Sequence, residues 1–195
     1  VEKIEQKLMY VGKKDKIKLL VKLLQDEGLD KVIVFTRMKF MANRVAQRLN
    51  AAGISAAPIH GNKSQTARTE ALDAFRADRV RVLVATDIAA RGIDIDKLKY
   101  VINYDIPSES ETYVHRIGRT ARLGAKGEAI SFACEDYAFS LPDIESYIGY
   151  PIPMESIDLD SLPDIVTPPR PPRKPRGGPR RGGGAVPFQC AVASV

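Results

Sequence analysis

Residues 80–94 read VRVLVATDIAARGID. The run that ends at Ala85 is apolar and β-branched, interrupted only by Arg81, as expected of a strand buried on both faces of a parallel sheet. Thr86 and Asp87 follow it directly, and in open α/β sheets ligands bind just beyond the carboxyl ends of the strands. The stretch therefore predicts a central strand with polar groups at a ligand-binding edge. The alternative is a plain turn in which Asp87 caps a helix.

The sequence around this stretch alternates between strand-like and helix-like patterns. The predicted strands are 4–11, 32–36, 55–60, 80–85, 100–105 and 128–133. The predicted helices are 15–27, a segment with Met41, Val45 and Leu49 on one face, and 65–77 with Ser64 as its cap. Strands and helices that alternate at this spacing predict βαβ units, and hence an α/β fold with a parallel sheet flanked by helices.

Residues 115–122 read HRIGRTAR and bring one imidazole and three guanidinium groups into eight residues. If the segment is helical, His115, Arg119 and Arg122 lie at i, i+4 and i+7 on one face. Arginine offers a planar fork of donors that matches phosphate. The segment favours a polyanionic ligand such as a nucleotide γ-phosphate, with a solvated basic face as the alternative.

The positive charge of the chain is concentrated near its C-terminal end. The 195 residues carry a net charge of +6, and the part from Asp164 onward holds six cations and one acid, a net +5. Residues 168–184 read PPRPPRKPRGGPRRGGG, which cannot bury enough apolar surface to offset the entropy of ordering. We predict a folded domain over 1–155 and a disordered Pro/Arg/Gly-rich tail over 156–195. The tail either tethers RNA through its phosphates or only solubilises the protein.

Several classes of protein are disfavoured by composition. No apolar run approaches the roughly 18 residues of a membrane span, and no signal peptide is recognisable. Cys134 and Cys190 are far apart and the two histidines are isolated, so we expect no metal site and a reducing cytoplasm. The chain contains neither a GxxxxGK[ST] phosphate loop nor a DEAD tetrad, which leaves nothing to hold nucleotide β- and γ-phosphates or Mg²⁺. Because it begins with Val1, we expect a fragment or a processed product.

Four strings, taken in order, resemble the DEAD-box family of RNA helicases within superfamily 2, over roughly residues 5–150. They are VIVFTRMKFMANRVAQRL (32–49), IHGNKSQTARTEALDAF (59–75), ATDIAARGID and YVHRIGRTAR. ISFACEDYAFSLPDIESYIGYPIP (130–153) resembles the bacterial degradosome-associated RhlB branch. The resemblance implies the C-terminal RecA-like lobe of such an enzyme. Ala121 stands where many members have glycine, a change that a helical position tolerates.

The resemblance implies nucleotide contacts for one group of residues. Arg119 and Arg122 resemble arginine fingers that reach the γ-phosphate of ATP, held with Mg²⁺ on the N-terminal RecA-like lobe. His115 is expected to couple this segment to that lobe, with a structural histidine as the alternative. Gly92 and Asp94 match nucleotide-contact positions, and the Asp94 carboxylate would accept hydrogen bonds from the ribose.

Two further arginines are expected to shape the same site. Arg116 is predicted to pair with a local carboxylate such as Asp87. Arg91 either contacts phosphate or braces its loop through Asp87, and we favour the brace.

The resemblance also implies RNA-backbone contacts for Thr86, Gly61, Gln65 and Arg68. A hydroxyl, a glycine that lets phosphate approach the main chain, and an arginine suit contacts that do not read bases. Thr36, at a strand end, is a weaker candidate. The alternative for Gln65 and Arg68 is the polar face of an amphipathic helix.

The sequence thus predicts the C-terminal lobe of an ATP-dependent RNA helicase that unwinds short RNA duplexes in RNA turnover and is inactive by itself. Its expected partners are single-stranded and duplex RNA, the N-terminal lobe, and RNase E of a degradosome. Two alternatives stay open, a superfamily 2 DNA helicase and a non-enzymatic lobe that binds RNA or a ribonuclease.

Overall fold

The computed structural model describes residues 4–26, 28–91, 93, 95, 98–120 and 126–168. Its strands are β1 (Ile4–Tyr10), β2 (Val32–Phe35), β3 (Ala56–Ile59), β4 (Val82–Ala85), β5 (Tyr100–Asn103) and β6 (Gly127–Ala133). Its helices are α1 (Lys16–Asp26), α2 (Lys39–Ala51), α3 (Gln65–Arg76), α4 (Asp87–Ala90), α5 (Ser110–Ile117) and α6 (Leu141–Ile148), with 3₁₀ turns at Ala138–Ser140 and Leu159–Ser161. Every predicted strand and all three predicted helices are confirmed.

The strands form one parallel sheet in the order β1-β6-β5-β2-β4-β3. β2 and β4 lie inside it and are buried along their whole length, which explains why their sequences, VIVF and VLVA, do not alternate with polar residues. α3 begins where predicted, because the Ser64 hydroxyl accepts a hydrogen bond of 3.2 Å from the Ala67 amide.

Helices cover both faces of the sheet. α1 and α2 pack against one face, where Val32, Val34 and their neighbours form the largest core cluster. α3 and α4 cover the opposite face at β2 and β4, and α5 and α6 cover it at β1 and β6. This three-layer arrangement is the RecA-like α/β fold that the sequence predicts.

A segment that follows α6, residues 154–168, crosses one edge of the sheet and is called the strap below. The Leu8 amide donates to the Pro153 carbonyl, and the Glu155 amide donates to the Leu8 carbonyl, each over 2.8 Å. Beyond this bridge, Ile157, Leu162 and Ile165 pack against the α1–α2 layer. The tail was predicted to begin at 156; this part of the prediction is wrong, because these three apolar side chains gain a packed surface. Residues 169–195 lie outside the described residues.

The two edge strands of the sheet are β1, beside the strap, and β3. β3 has only four residues and contains Pro58. None of the helices in the described ranges is long and apolar enough to cross a membrane.

Candidate functional site at the carboxyl edge of the sheet

Four neighbouring strands end side by side, and polar residues follow each of them. The Thr36 amide bonds to the Ala85 carbonyl at 3.0 Å, and the Thr86 amide bonds to the Ile59 carbonyl at 3.2 Å. The Asp105 amide bonds to the Phe35 carbonyl at 3.2 Å. These main-chain bonds continue the ladders past the strand ends, so the residues after β2, β3, β4 and β5 share one edge, where ligands of open α/β sheets bind.

Arg116 is the main organiser of this edge. Its side chain is 2% exposed, and its Nε and Nη2 atoms donate to the two carboxylate oxygens of Asp87 over 2.6 and 2.7 Å. Its Nη1 donates to the Asp105 carbonyl at 2.6 Å and to Asn103 Oδ1 at 3.2 Å, while the guanidinium lies 5.0 Å from the Phe35 ring centre. The predicted pairing of Arg116 with Asp87 is confirmed.

Arg91 does not have the bracing role that we favoured. Both oxygens of Asp87 are bound by Arg116, and only the Arg91 main chain contacts Asp87, through an amide-to-carbonyl bond of 3.2 Å. The Arg91 side chain is exposed at the rim of the site.

The helix that carries HRIGRTAR ends earlier than predicted. α5 stops at Ile117, and the Gly118 amide closes it by donating to the Val114 carbonyl at 2.9 Å. Arg119 lies in the following turn, so the prediction of one helical face through His115 and Arg119 is wrong. A Cβ atom at position 118 would lie 3.0 Å from the Val114 carbonyl oxygen, which is closer than an ordinary contact. Glycine therefore suits this close approach.

Arg119 is half-buried and held by main-chain carbonyls of the preceding loop. Its Nη2 donates to the Ala90 carbonyl at 2.9 Å, and its Nη1 donates to the Ile93 carbonyl at 3.0 Å. His115 is exposed and makes no hydrogen bond to any described residue, which argues against the structural histidine that we kept as an alternative. Arg91, His115 and Arg119 thus share one rim.

This rim surrounds a cavity of about 70 Å³ at the surface. The cavity is lined by Phe35, Asp87, Ala90, Arg91, Thr112, His115, Arg116 and Arg119. Small-molecule sites usually measure about 300–1,000 Å³, so this cavity is too small to enclose a nucleotide. Its cationic rim can still meet the phosphates of a nucleotide held on a facing surface.

Three predicted nucleotide-contact residues, Gly92, Asp94 and Arg122, lie outside the described residues, as does Ala121. Their roles stay predictions.

The predicted RNA-contact residues differ in exposure. Gly61 directly follows β3 and His60 and is exposed, and a Cβ atom there would lie 3.8 Å from Lys39 Cε and Nζ. Gln65 is exposed in the first turn of α3. Arg68 is half-buried, and its Nη2 donates a long bond of 3.4 Å to the Ala89 carbonyl. Gly61 and Gln65 are open to a ligand, whereas Arg68 also links α3 to α4.

Both threonines of the prediction are buried. Thr36 is 0% exposed, and its hydroxyl faces the Met38 carbonyl at 3.4 Å. The hydroxyl is covered in this conformation, and an RNA contact by Thr36 stays a prediction. Thr86 is also buried, and its side chain does not cap α4. An RNA contact by Thr86 stays a prediction.

A buried ion pair at this edge was missed in the sequence. Lys16 Nζ lies 2.5 Å from Asp105 Oδ1, and the two side chains are 3% and 5% exposed. The ammonium group is 4.6 Å from the Tyr104 ring centre, and the Arg37 amide donates to Asp105 Oδ2 at 3.0 Å. The available signal was the position of Lys16, four residues before Leu20 on the apolar face of α1.

His60 is a second group that sequence reasoning missed. Its Nε2 lies 2.9 Å from Asn43 Oδ1, and its Nδ1 accepts a hydrogen bond of 3.3 Å from the Asn62 amide. Burial lowers the pKa of the His60 imidazole, and the charges of Lys63 and Lys39 lower it further. Both contacts fit a neutral ring with its proton on Nε2. Among the described residues, no cluster of His, Cys, Asp and Glu could hold a metal ion.

Comparisons with known proteins agree with this geometry. Residues 15–124 match the model of the helicase conserved C-terminal domain. The ATP-dependent RNA helicase RhlB of Shewanella frigidimarina is 43% identical over 183 residues, which are 93% of this chain and 42% of that protein. RhlB of Xanthomonas axonopodis pv. citri is 45% identical over 176 residues, 90% of this chain and 30% of that protein. The chain thus spans less than half the length of these relatives, and the predicted likeness to RhlB is confirmed.

Two solved structures share both fold and sequence with the chain. The E. coli DEAD-box protein SrmB, bound to regulator of ribonuclease activity A, superposes with a TM-score of 0.77 at 38% identity. The match covers 86% of this chain and 99% of the SrmB chain. The C-terminal domain of the DEAD-box protein Dbp5 gives a TM-score of 0.73 at 35% identity, covering 81% and 92% of the two chains.

Proposed function

Since this chain belongs to the DEAD-box family as a helicase conserved C-terminal domain, we propose that it is the second lobe of an ATP-dependent RNA helicase. A first RecA-like lobe would supply the phosphate loop, the DEAD tetrad and the Mg²⁺ ion that accompanies ATP. One observation carries the proposal. Arg119 is held by two hydrogen bonds beside the exposed side chains of Arg91 and His115. The cavity that these three residues line is too small to enclose a nucleotide, but its cationic rim suits the phosphates of a nucleotide presented by a facing lobe.

Arg119 is suited to be the arginine finger of this enzyme. A guanidinium has five N–H donors, and the two bonds to Ala90 and Ile93 leave three of them for the γ-phosphate. The finger can therefore bind phosphate without giving up its support. Arginine fingers contribute about 10³–10⁵ in rate by stabilising charge in the transition state. Arg122 is the second finger of the proposal, and Asp94 with Gly92 meets the ribose side.

RNA would bind along the same edge when the lobes close. Gly61, Gln65, Arg68 and Thr86 contact its backbone in this proposal, so that specificity is for RNA shape and 2′-hydroxyl groups. Closure bends one strand and opens a short duplex. The six cations of the C-terminal tail tether RNA, and on a single strand they give a salt slope of roughly −4.

The likeness to RhlB supports a role in RNA turnover in the cytoplasm, with RNase E as a partner that docks on this lobe. The SrmB structure, which holds a regulator of ribonuclease activity, supports the general idea that lobes of this fold accept protein partners.

The test is an ATPase assay on the two-lobe protein with single-stranded RNA. Arg119→Ala should lower RNA-stimulated ATP turnover by about 10³-fold or more while RNA affinity stays within about twofold. Arg119→Lys should not restore turnover, because lysine lacks the planar fork. Arg79→Ala, at an exposed arginine that precedes β4 at the amino ends of the strands, is the matched control.

Normal turnover by Arg119→Ala would contradict the proposal. Stimulation by single-stranded DNA as strong as that by RNA would instead favour a DNA helicase. We expect this chain alone to show no RNA-stimulated ATPase activity.

A further inference from the structure

α1, α2 and the strap enclose a basic groove on the sheet face opposite α3 to α6. The groove has two connected parts of about 500 and 770 Å³ that share Arg44, Arg48 and Thr167. The first part is also lined by Lys13, Lys14 and Lys18. The second part extends to Phe40, Pro58 and Lys63. Both parts have volumes that accommodate a ligand.

The positive charge of this groove is largely uncompensated. Lys13 pairs with Asp136, and Lys18 lies 3.5 Å from Asp15. The remaining cations form no ion pair with any described residue; they are Lys14, Arg44, Arg48 and Lys63. The strap lines the groove with Ile165 and Thr167 and contributes no acid to its wall. Uncompensated cations in a groove attract a polyanion.

One end of the groove opens beside the predicted RNA edge. Lys63 is two residues from Gly61, and Phe40 directly follows Lys39. Lys39 Nζ donates to Asn62 Oδ1 at 3.0 Å, which joins the start of α2 to the turn after β3. Gly61 therefore has Lys39 beside it and Lys63 two residues on, at the end of the groove that Phe40 and Lys63 line.

The other end of the strap leads to the Arg-rich tail. Pro168 lines the second part of the groove, and a single residue separates it from Arg170. The six cations of the tail therefore follow closely in sequence on the strap, which lines the groove beside Arg44 and Arg48.

We propose that this groove is a second binding site for the sugar-phosphate backbone of single-stranded RNA, which continues the path from Gly61 along α2. This inference depends on the proposed function for the identity of the ligand. Phe40 distinguishes RNA from an acidic peptide, because its ring is 59% exposed next to the cations and offers a surface for base stacking.

The experiment measures the affinity of the full 195-residue chain for a fluorescein-labelled 20-nucleotide oligouridylate. The KCl concentration is varied from roughly 50 to 200 mM, a range over which phosphate contacts make the affinity fall measurably. Arg44→Ala/Arg48→Ala removes two phosphate contacts, so the salt slope should become shallower by about 1.4 and affinity at 100 mM salt should fall about 25-fold. Arg44→Lys/Arg48→Lys should restore the slope. Phe40→Ala should weaken binding at least about fivefold without changing the slope.

The matched control is Arg79→Ala/Lys126→Ala, which removes the same charge from exposed positions that precede β4 and β6, at the amino ends of the strands. Lys14→Ala/Lys63→Ala is the second groove variant, should the arginine pair fail to fold. The proposal is overturned if the groove variants bind RNA as well as this control does. It is also overturned if the groove variants lose binding to poly-glutamate, an acidic peptide, but keep their binding to RNA. Failure of the proposed function would be recognised separately, in the ATPase assay. In that case RNA would not stimulate ATP turnover by the wild-type two-lobe protein.

Discussion

Asp87 and Arg116 join the turn after β4 to α5 through two parallel hydrogen bonds of 2.6 and 2.7 Å. The same guanidinium donates to the carbonyl of Asp105 beyond β5, so one side chain fixes the ends of two strands against one helix. Three residues later, Arg119 points out of this arrangement to the rim. Within HRIGRTAR, therefore, one arginine builds the edge and another is available to a ligand.

Removal of Arg116 should destabilise the fold strongly. Arg116→Ala leaves the Asp87 carboxylate and the Asp105 carbonyl without their donor, and loss of one partner of a buried pair costs about 3–5 kcal/mol. Arg116→Lys should recover only part of this, since an ammonium group cannot bind both Asp87 oxygens in parallel. Urea unfolding measures the free energy. Arg79→Ala should stay within about 0.5 kcal/mol of wild type, and an equally small effect at Arg116 would refute the brace.

Stability should fall in acid because of His60. Its folded-state pKa lies below the unfolded value, so the unfolded chain binds the proton more readily. The contribution of His60 is therefore complete above about pH 6.5 and is lost as the pH falls from there through the lowered pKa. Urea midpoints at pH 7.5 and 5.5 (about one unit either side of the ordinary pKa) should differ more for wild type than for His60→Gln. His115→Gln, at an exposed histidine, serves as the control. If the difference between the two urea midpoints is the same in all three proteins, His60 does not have this role.

The strap should detach when its apolar contact is removed. Ile165→Asp places a charge where Ile165 packs against the α1–α2 layer, and we expect a loss of about 1 kcal/mol with faster hydrogen exchange over 155–168. Val166→Asp introduces the same charge at a neighbouring side chain that is 78% exposed, so it should have little effect. Indistinguishable exchange in the two variants would mean that Ile165 does not hold the strap.

The elements that sequence analysis located best are those with one dominant cause. β2 and β4 are short apolar runs buried on both faces, and α3 begins at a serine that caps it. The end of α5 was missed, because the helical spacing of His115 and Arg119 was given more weight than Gly118 between them. Glycine is a poor helix former, and here it ends the helix.

The site was predicted less completely because burial of charged and polar groups leaves little trace in a sequence. Lys16 resembles any lysine at a helix start, yet it is buried against Asp105. Thr36 resembles an accessible hydroxyl at a strand end, yet the sheet covers it. The strap has no periodic pattern, since acids and one proline separate its three apolar contacts. Only the packed chain shows which surface they meet.

Both edges of the sheet restrict pairing with a further strand. At β1, the bridge between Leu8 and the strap occupies a main-chain amide and a carbonyl that would otherwise face outward. At β3, the strand is only four residues long and Pro58 has no amide hydrogen to offer. Unprotected edges invite pairing between molecules and aggregation. The fold therefore limits self-association through strand pairing at both ends of the sheet.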